Sequence, residues 1–228
     1  MKTIKQWDEL PTYMKNDVVY PYYVILSKHK MGMAMKRLFD FVISLLMLVV
    51  LSPFFVVLII MIKMDSKGPA FFRQTRVTQY GKEFQIYKFR TMVVNAECMG
   101  TQVTVENDSR ITRIGHMIRK CRLDEIPQLL NVLLGDMSFV GTRPEVPKYV
   151  NCYTEEMYAT LLLPAGITSK ASIKFKDEDT MLEEAKNVDD TYVEKILPLK
   201  MKYNLEEIRE FSIWNQLKTM FQTVKAVL

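Results

Sequence analysis

Asp124 and Glu125 are adjacent carboxylates, placed between a basic stretch and an apolar run that ends at Gly135. Asp124 is suited to cap the helix that follows, Pro127 falls in its first turn where a missing N–H costs little, and Gly135 sits where that helix should stop. The pair would then stand at the positive end of a helix dipole, where anions are favoured. Arg110, Arg113, Arg119, Lys120 and Arg122 lead into it, carried by a segment that Ser109 could cap and that sets Ile111, Ile114 and Ile118 on one face, with Gly115 a weak point. Such a density of cations favours ionised carboxylates and attracts phosphates. On these residues alone a plain helix cap is the simpler account of the dyad.

Two further groups could act on phosphates. Lys88-Phe89-Arg90 places two cations one residue apart, which on a strand share a face. The segment Gly135–Pro147 has two glycines, two prolines after Arg143 and Thr142 before it. A loop so shaped can hold Arg143 for a two-pronged grip on phosphate. A solvated strand face and a structural turn are the plainer readings of the same residues. Neither a P-loop nor a G-x-G-x-x-G fingerprint occurs.

The surrounding chain has 228 residues, enough for one domain with a real core, and its 31 basic against 26 acidic side chains make it mildly cationic. Cys98, Cys121 and Cys152 form no C-x-x-C pair, and with two histidines neither a zinc site nor a His-based triad is indicated. Residues 1–35 mix charges with a Tyr/Val-rich patch, lack a secretory signal pattern, and read as an extension lying on the rest. Phe41–Ile62 is apolar except for Ser44, Ser52 and Pro53. About 20 such residues can cross a bilayer, although a buried helix is the alternative. Pro53 near the centre divides the run into halves of roughly 14–18 Å, about one leaflet each. Lys36 and Arg37 before the run and Lys63, Lys67, Arg73 and Arg76 after it draw both ends to one side. A hairpin that enters and returns satisfies this, with the Ser52 hydroxyl the nearest partner for backbone freed by Pro53.

Beyond it, Phe71–Val77 and Glu83–Arg90 read as a hairpin, residues 93–108 as loop, Ile126–Leu134 as a core helix, and 176–190 as an acidic solvated face. Near the C-terminus Ile213, Leu217, Met220, Phe221, Val224 and Leu228 recur at helical spacing. That helix either packs on the core or lies in a membrane interface. The expected fold is α+β, mostly helical with a small β-hairpin. It comprises an extension (1–35), a re-entrant helix-break-helix (36–64), a catalytic core (65–150) and a C-terminal part (151–228).

In this order, Lys36-Arg37-Leu38-Phe39-Asp40, Ser52-Pro53, Lys88–Met92, Ile118-Arg119-Lys120, Leu123–Val132 and Gly135–Pro144 resemble the bacterial sugar transferase family, the monotopic phosphoglycosyl transferases; Gly166-Ile167-Thr168 is a weaker match. The resemblance implies a transferase on the cytoplasmic face of the bacterial inner membrane. Its reaction would move a sugar-1-phosphate from a UDP-sugar to a polyprenol phosphate, such as undecaprenyl phosphate. Asp124 would be the nucleophile, Glu125 would hold Mg²⁺, Arg119, Arg143, Lys88 and Arg90 would grip phosphates with Glu145 beside the substrate, and Ser52-Pro53 would break the membrane hairpin. Membrane lipids and a second copy of the chain are further expected partners; nucleic acid is not. Departures at Thr142 and Ser169–Ser172 bear on the sugar more than on the reaction. A membrane-anchored scaffold without activity is the alternative from another class.

Overall fold

The computed structural model describes residues 4–96, 108–175 and 187–227. Residues 97–107 of the loop expected over 93–108, residues 176–186 of the acidic stretch expected over 176–190, Cys98 and Leu228 lie outside the described residues. After two 3₁₀ turns, Trp7–Glu9 and Thr12–Met14, come α1 (Tyr20–Lys28) and the long α2 (Lys30–Asp65). The N-terminal segment does more than lie on the surface. Leu10, Met14, Val19, Tyr22 and Leu26 are buried in one core with Ile196, Leu197 and Met201.

α2 is one 36-residue helix that runs through Pro53. The expected break at Ser52-Pro53 is therefore not a helix end, and the reason is local. Proline cannot donate to the carbonyl four residues back, that of Val49, and the Ser52 hydroxyl donates to this oxygen instead at 2.8 Å. The residue expected to supply a partner supplies it, and the helix continues. One face of α2 packs along its whole length, with Met33, Asp40, Ser44, Leu58 and Ile62 buried. Leu38, Val42, Leu46, Val49, Val50, Val56 and Ile60 point outward and are at least half exposed. The helix is long and apolar enough to cross a membrane.

Its polar start is stapled to the body. Lys36 Nζ donates to the Ser138 hydroxyl and the Val140 carbonyl, and Asp40 accepts from the Phe139 amide. Arg37 donates to the carbonyls of Val132 and Leu133 at 2.6 and 2.9 Å, satisfying a helix C-terminus that has lost its own donors. These two cations thus serve the protein interior, a role the count of flanking charges did not anticipate.

The hairpin β1 (Phe71–Val77) and β2 (Glu83–Phe89) pairs antiparallel, Phe71 opposite Phe89, within one residue of the expected bounds. Next, α3 (Arg113–Lys120) is capped by Thr112, whose side chain accepts from the Gly115 amide; Ser109 is not the cap. Gly115 is needed there, since a Cβ would stand 2.1 Å from the Thr91 carbonyl oxygen. A 3₁₀ turn, Leu123–Glu125, precedes α4 (Gln128–Leu134).

The segment expected as loop contains β3 (Met137–Val140), which pairs in parallel with β4 (Ala165–Thr168). Gly141 and Gly166 permit this: a Cβ on Gly166 would meet the Gly141 amide nitrogen at 2.2 Å. Between and after these strands lie α5 (Pro147–Val150), α6 (Lys170–Lys174), α7 (Leu197–Arg209) and α8 (Ile213–Val227), α7 being entered through a π-helical turn at Tyr192–Ile196. The result is mostly helical with two small sheets and one long apolar helix.

Candidate active site

The dyad does not cap α4. Arg122 adopts a left-handed conformation with φ of 54°, which turns the chain into the 3₁₀ turn holding Leu123, Asp124 and Glu125. A non-glycine residue held there costs about 1–3 kcal/mol, so the surrounding packing must impose it. The N-cap of α4 is Pro127, with no side-chain bond.

Asn131 fixes this turn against the hairpin. It is fully buried on α4, accepts from the Tyr87 amide at 3.0 Å and donates to the Gln85 carbonyl at 2.8 Å. It acts as a strand partner for β2, and so sets Lys88 opposite Glu125. Lys88 Nζ lies 3.1 Å from Glu125 Oε1, and Arg143 donates to both Glu125 oxygens. Burial alone would raise the Glu125 carboxyl, but Arg143 and Lys88 outweigh it and hold the group far below the usual carboxylate range. Glu125 is therefore the fixed charge.

Asp124, 8% exposed, differs from its neighbour. Among the described residues no side chain hydrogen-bonds to it. Burial pushes its pKa above the ordinary value, opposed by Lys88, reinforced by Glu125, and opposed again by Arg119 and Arg143. The cations favour ionisation of both acids, as expected, but at Asp124 burial works against them. One carboxylate is saturated with cations, while the other is buried, has its own bonding capacity free, and lies in their field. A carboxylate so placed can attack phosphorus, and Lys88, Arg119 and Arg143 can neutralise the phosphate it approaches.

The remaining expected residues divide. Arg119 donates to the Thr91 hydroxyl at 3.0 Å while its charge reaches Asp124. Arg90 donates to the Ser66 carbonyl and hydroxyl, at 2.7 and 3.0 Å, and so ties the end of α2 to the hairpin; its described contacts are not with the dyad. Glu145 is buried and accepts from the Tyr192 hydroxyl at 2.6 Å, with Lys200 Nζ at 3.6 Å. Its neighbours hold the loop after Arg143. Ser52 and Pro53 lie far along α2, in the apolar run. Arg76 was read only as a flanking charge. It donates to the Pro144 carbonyl at 3.1 Å, and its charge acts on both Glu145 and Lys88, linking the dyad to the Glu145 network. The motif order gave no signal for it, because that link joins residues 68 positions apart.

Among the described residues no group of three or more His, Cys, Asp or Glu side chains forms a ready metal cage. Mg²⁺ needs less: one or two carboxylates, with phosphate oxygens and water completing an octahedron. Asp124 and Glu125 offer that set, although Glu125 already faces Arg143 and Lys88.

The model of a family described as bacterial sugar transferase matches residues 31–228. A UDP-N-acetylgalactosamine-undecaprenyl-phosphate N-acetylgalactosaminephosphotransferase of Aeromonas hydrophila is 35% identical over 85% of this chain and 43% of its own length. A UDP-glucose:undecaprenyl-phosphate glucose-1-phosphate transferase of Escherichia coli K12 is 36% identical over 83% of this chain and 39% of its own. A putative undecaprenyl-phosphate N-acetylgalactosaminyl 1-phosphate transferase of Bacillus subtilis 168 is 40% identical over 59% of this chain and 75% of its own. The chain spans less than half the length of the first two.

Proposed function

Since the chain belongs to the bacterial sugar transferase family, we propose that it transfers a sugar-1-phosphate from a UDP-sugar to a polyprenol phosphate, at the cytoplasmic face of the bacterial inner membrane, and so begins polysaccharide or other glycoconjugate synthesis. The observation that carries the reading is the asymmetry of the dyad, with Glu125 locked between Lys88 and Arg143 and Asp124 left without a side-chain partner among the described residues.

In the first step an Asp124 carboxylate oxygen attacks the β-phosphorus of the nucleotide sugar. The bond from that phosphorus to the bridging oxygen breaks, and UMP departs with the electron pair. In the second, an oxygen of the lipid phosphate attacks the same phosphorus and Asp124 leaves as the carboxylate, giving the lipid diphosphate sugar. Asp124 needs no general base, only its own ionised form. Lys88, Arg119 and Arg143 offset the repulsion between that anion and the pyrophosphate. Mg²⁺ held by Glu125, with Asp124 beside it, would supply further neutralisation of phosphate charge.

A lipid substrate requires the dyad to sit at the bilayer surface. We read α2 as entering and leaving on one face. Support comes from its contacts: Met33 joins one core, Ile43, Leu48 and Leu51 a second, and Phe55, Leu58 and Ile62 a third, so neither end departs from the catalytic body. UMP release from a panel of UDP-sugars, with purified protein and undecaprenyl phosphate, tests the activity; no release with any of them would remove this reading. Single cysteines placed before Lys36 and after Lys67, in a cysteine-free background, test the topology. Both should resist an impermeant reagent added outside, and labelling of only one would mean a spanning helix.

A further inference from the structure

Gln128, the first residue of α4, is fully buried, and neither its side-chain oxygen nor its side-chain nitrogen has a hydrogen-bond partner. Buried polar groups are satisfied almost everywhere in folded proteins, so a whole amide left unpaired just after the dyad needs a reason. The residues on either side of it set its surroundings. Bonds between residues three apart join Ile126 to Leu123 and Leu129 to Ile126, and in such 3₁₀ geometry side chains three positions apart eclipse. Glu125, Gln128 and Asn131 therefore fall on one side of the chain. Both outer members meet β2: Glu125 pairs with Lys88, and Asn131 bonds the Gln85 carbonyl and the Tyr87 amide. Gln128 is thus held against the same strand, between them.

The edge of β2 has a place for that amide. Alternate residues of an antiparallel strand turn both their N–H and their C=O to the same side. Arg90 donates back to Ala70, just before β1, whereas Gln85 and Tyr87 face Asn131. By the same alternation the Tyr87 carbonyl and the Phe89 amide also face α4, and they form the next rung along. A side-chain amide needs an acceptor for its nitrogen and a donor for its oxygen, and that rung holds one of each. Rungs lie two strand residues apart, roughly 6.8 Å, while three residues of helix advance only about 4.5–6 Å. The extra methylene of glutamine over asparagine covers the difference.

We propose that Gln128 is a positioning residue for the transfer: with a nucleotide sugar bound, its Nε2 donates to the Tyr87 carbonyl and its Oε1 accepts from the Phe89 amide. This second rung holds the turn carrying Asp124 and Glu125 against β2. The need for it comes from the phosphates. In the structure the turn is tied to β2 through Glu125 and Lys88, with Arg143 on the same carboxylate. Phosphate oxygens compete for these two cations, and each contact they take loosens that tie at the moment Asp124 must be held for attack. A rung to the strand backbone carries no charge and is untouched by that competition. This role rests on the transferase reading and extends it to a residue that touches no substrate.

Full-length protein labelled with ¹⁵N-phenylalanine, in nanodiscs with Mg²⁺, is followed by amide hydrogen exchange with and without UDP, the part common to the candidate donors. The Phe89 amide should exchange roughly 3- to 10-fold more slowly with UDP, the worth of one net hydrogen bond, and Gln128→Met should remove that slowing. This variant keeps the shape without the polar atoms. Its melting temperature should hold or rise while kcat falls roughly 10- to 100-fold and KM for the donor stays within about twofold. Gln128→Asn, one methylene short, should not restore kcat. Phe89 exchange that UDP leaves unaltered, in protein that turns over a nucleotide sugar, overturns the proposal, and so does slowing that survives in Gln128→Met. A lower melting temperature with kcat unchanged assigns Gln128 to the fold alone and overturns it too. Absence of UMP release from every UDP-sugar removes the transferase reading, while the Phe89 measurement, which needs UDP binding and no turnover, still decides the rung.

Discussion

Two glutamates, the partly buried Glu125 and the buried Glu145, flank the Arg143-Pro144 segment, and their surroundings differ in a way that separates proposed chemistry from support. Glu125 faces Lys88 and Arg143, whose side chains keep 21% and 32% of their surface exposed. Glu145 faces Lys200 and Tyr192, and in the Glu145–Lys200 pair each side chain is only 6% exposed. The first set is reachable from solvent, and beside it lies Asp124, a carboxylate with no side-chain hydrogen bond among the described residues. The second is closed: Lys200 donates to the Tyr192 hydroxyl at 2.9 Å, Tyr192 donates to Glu145, and the Tyr149 and Tyr192 rings lie 4.7 Å apart, tilted by 39°. Charge and burial alone therefore do not mark a site. Access to the cations does, together with a neighbour whose bonding capacity is unspent.

The comparison can be broken most decisively at Asp124. Asp124→Asn should abolish UMP release and any radiolabelled sugar-phosphate adduct while leaving the melting temperature near that of the parent, and normal turnover would refute the nucleophile assignment. Glu145→Gln should act the other way. Removing one partner of a buried ion pair costs about 3–5 kcal/mol, so the variant should melt much lower yet retain turnover per folded molecule at low temperature. If kcat collapses and stability holds, Glu145 belongs to the site. Arg143→Lys keeps the charge but loses the fork that spans Glu125, and a loss of roughly 100- to 1,000-fold in rate is expected from one displaced stabilising group.

A finer test uses pH. Burial raises the Asp124 pKa and Lys88 opposes that rise. The reactive form is the deprotonated one, so the rate should climb with pH through this pKa, and Lys88→Met should move the acid limb to higher pH. An unmoved limb would show that another group titrates there. The smallest effect is expected far from the dyad. Ser52→Ala removes the donor that covers the Val49 carbonyl, and a loss of about 1 kcal/mol should appear as a modest drop in melting temperature with the active site unaltered.

Local signals carried much of this in the sequence. The pattern in Phe71–Val77 and Glu83–Arg90 showed the hairpin, the apolar run showed the body of α2 but not its continuity through Pro53, and the order of short motifs pointed to Asp124, Glu125, Lys88, Arg119 and Arg143. What stayed hidden depends on distant partners. Asn131 reads as an ordinary helix residue until β2 lies beside it. β3 and β4 are four residues each, the first followed by Gly141 and the second containing Gly166, and look like loop until they pair. Arg90 shares a motif with Lys88, yet its partner is Ser66, 24 positions earlier. In α8 the spacing of apolar residues was plain, but the side turned inward depends on bonds of Thr219 and Thr223 to Glu207 and Thr168, which no local pattern encodes.

The clamp of Arg37 on the last carbonyls of α4 has a mechanical consequence. The chain that carries Asp124 and Glu125 runs directly into α4, and the far end of α4 is gripped by α2. On the function proposed above, anchor and nucleophile become two arms of one lever with Asn131 near its fulcrum. A bilayer thick or thin enough to re-tilt α2 must shift the load on that lever, so turnover should vary with acyl-chain length even where both substrates are saturating.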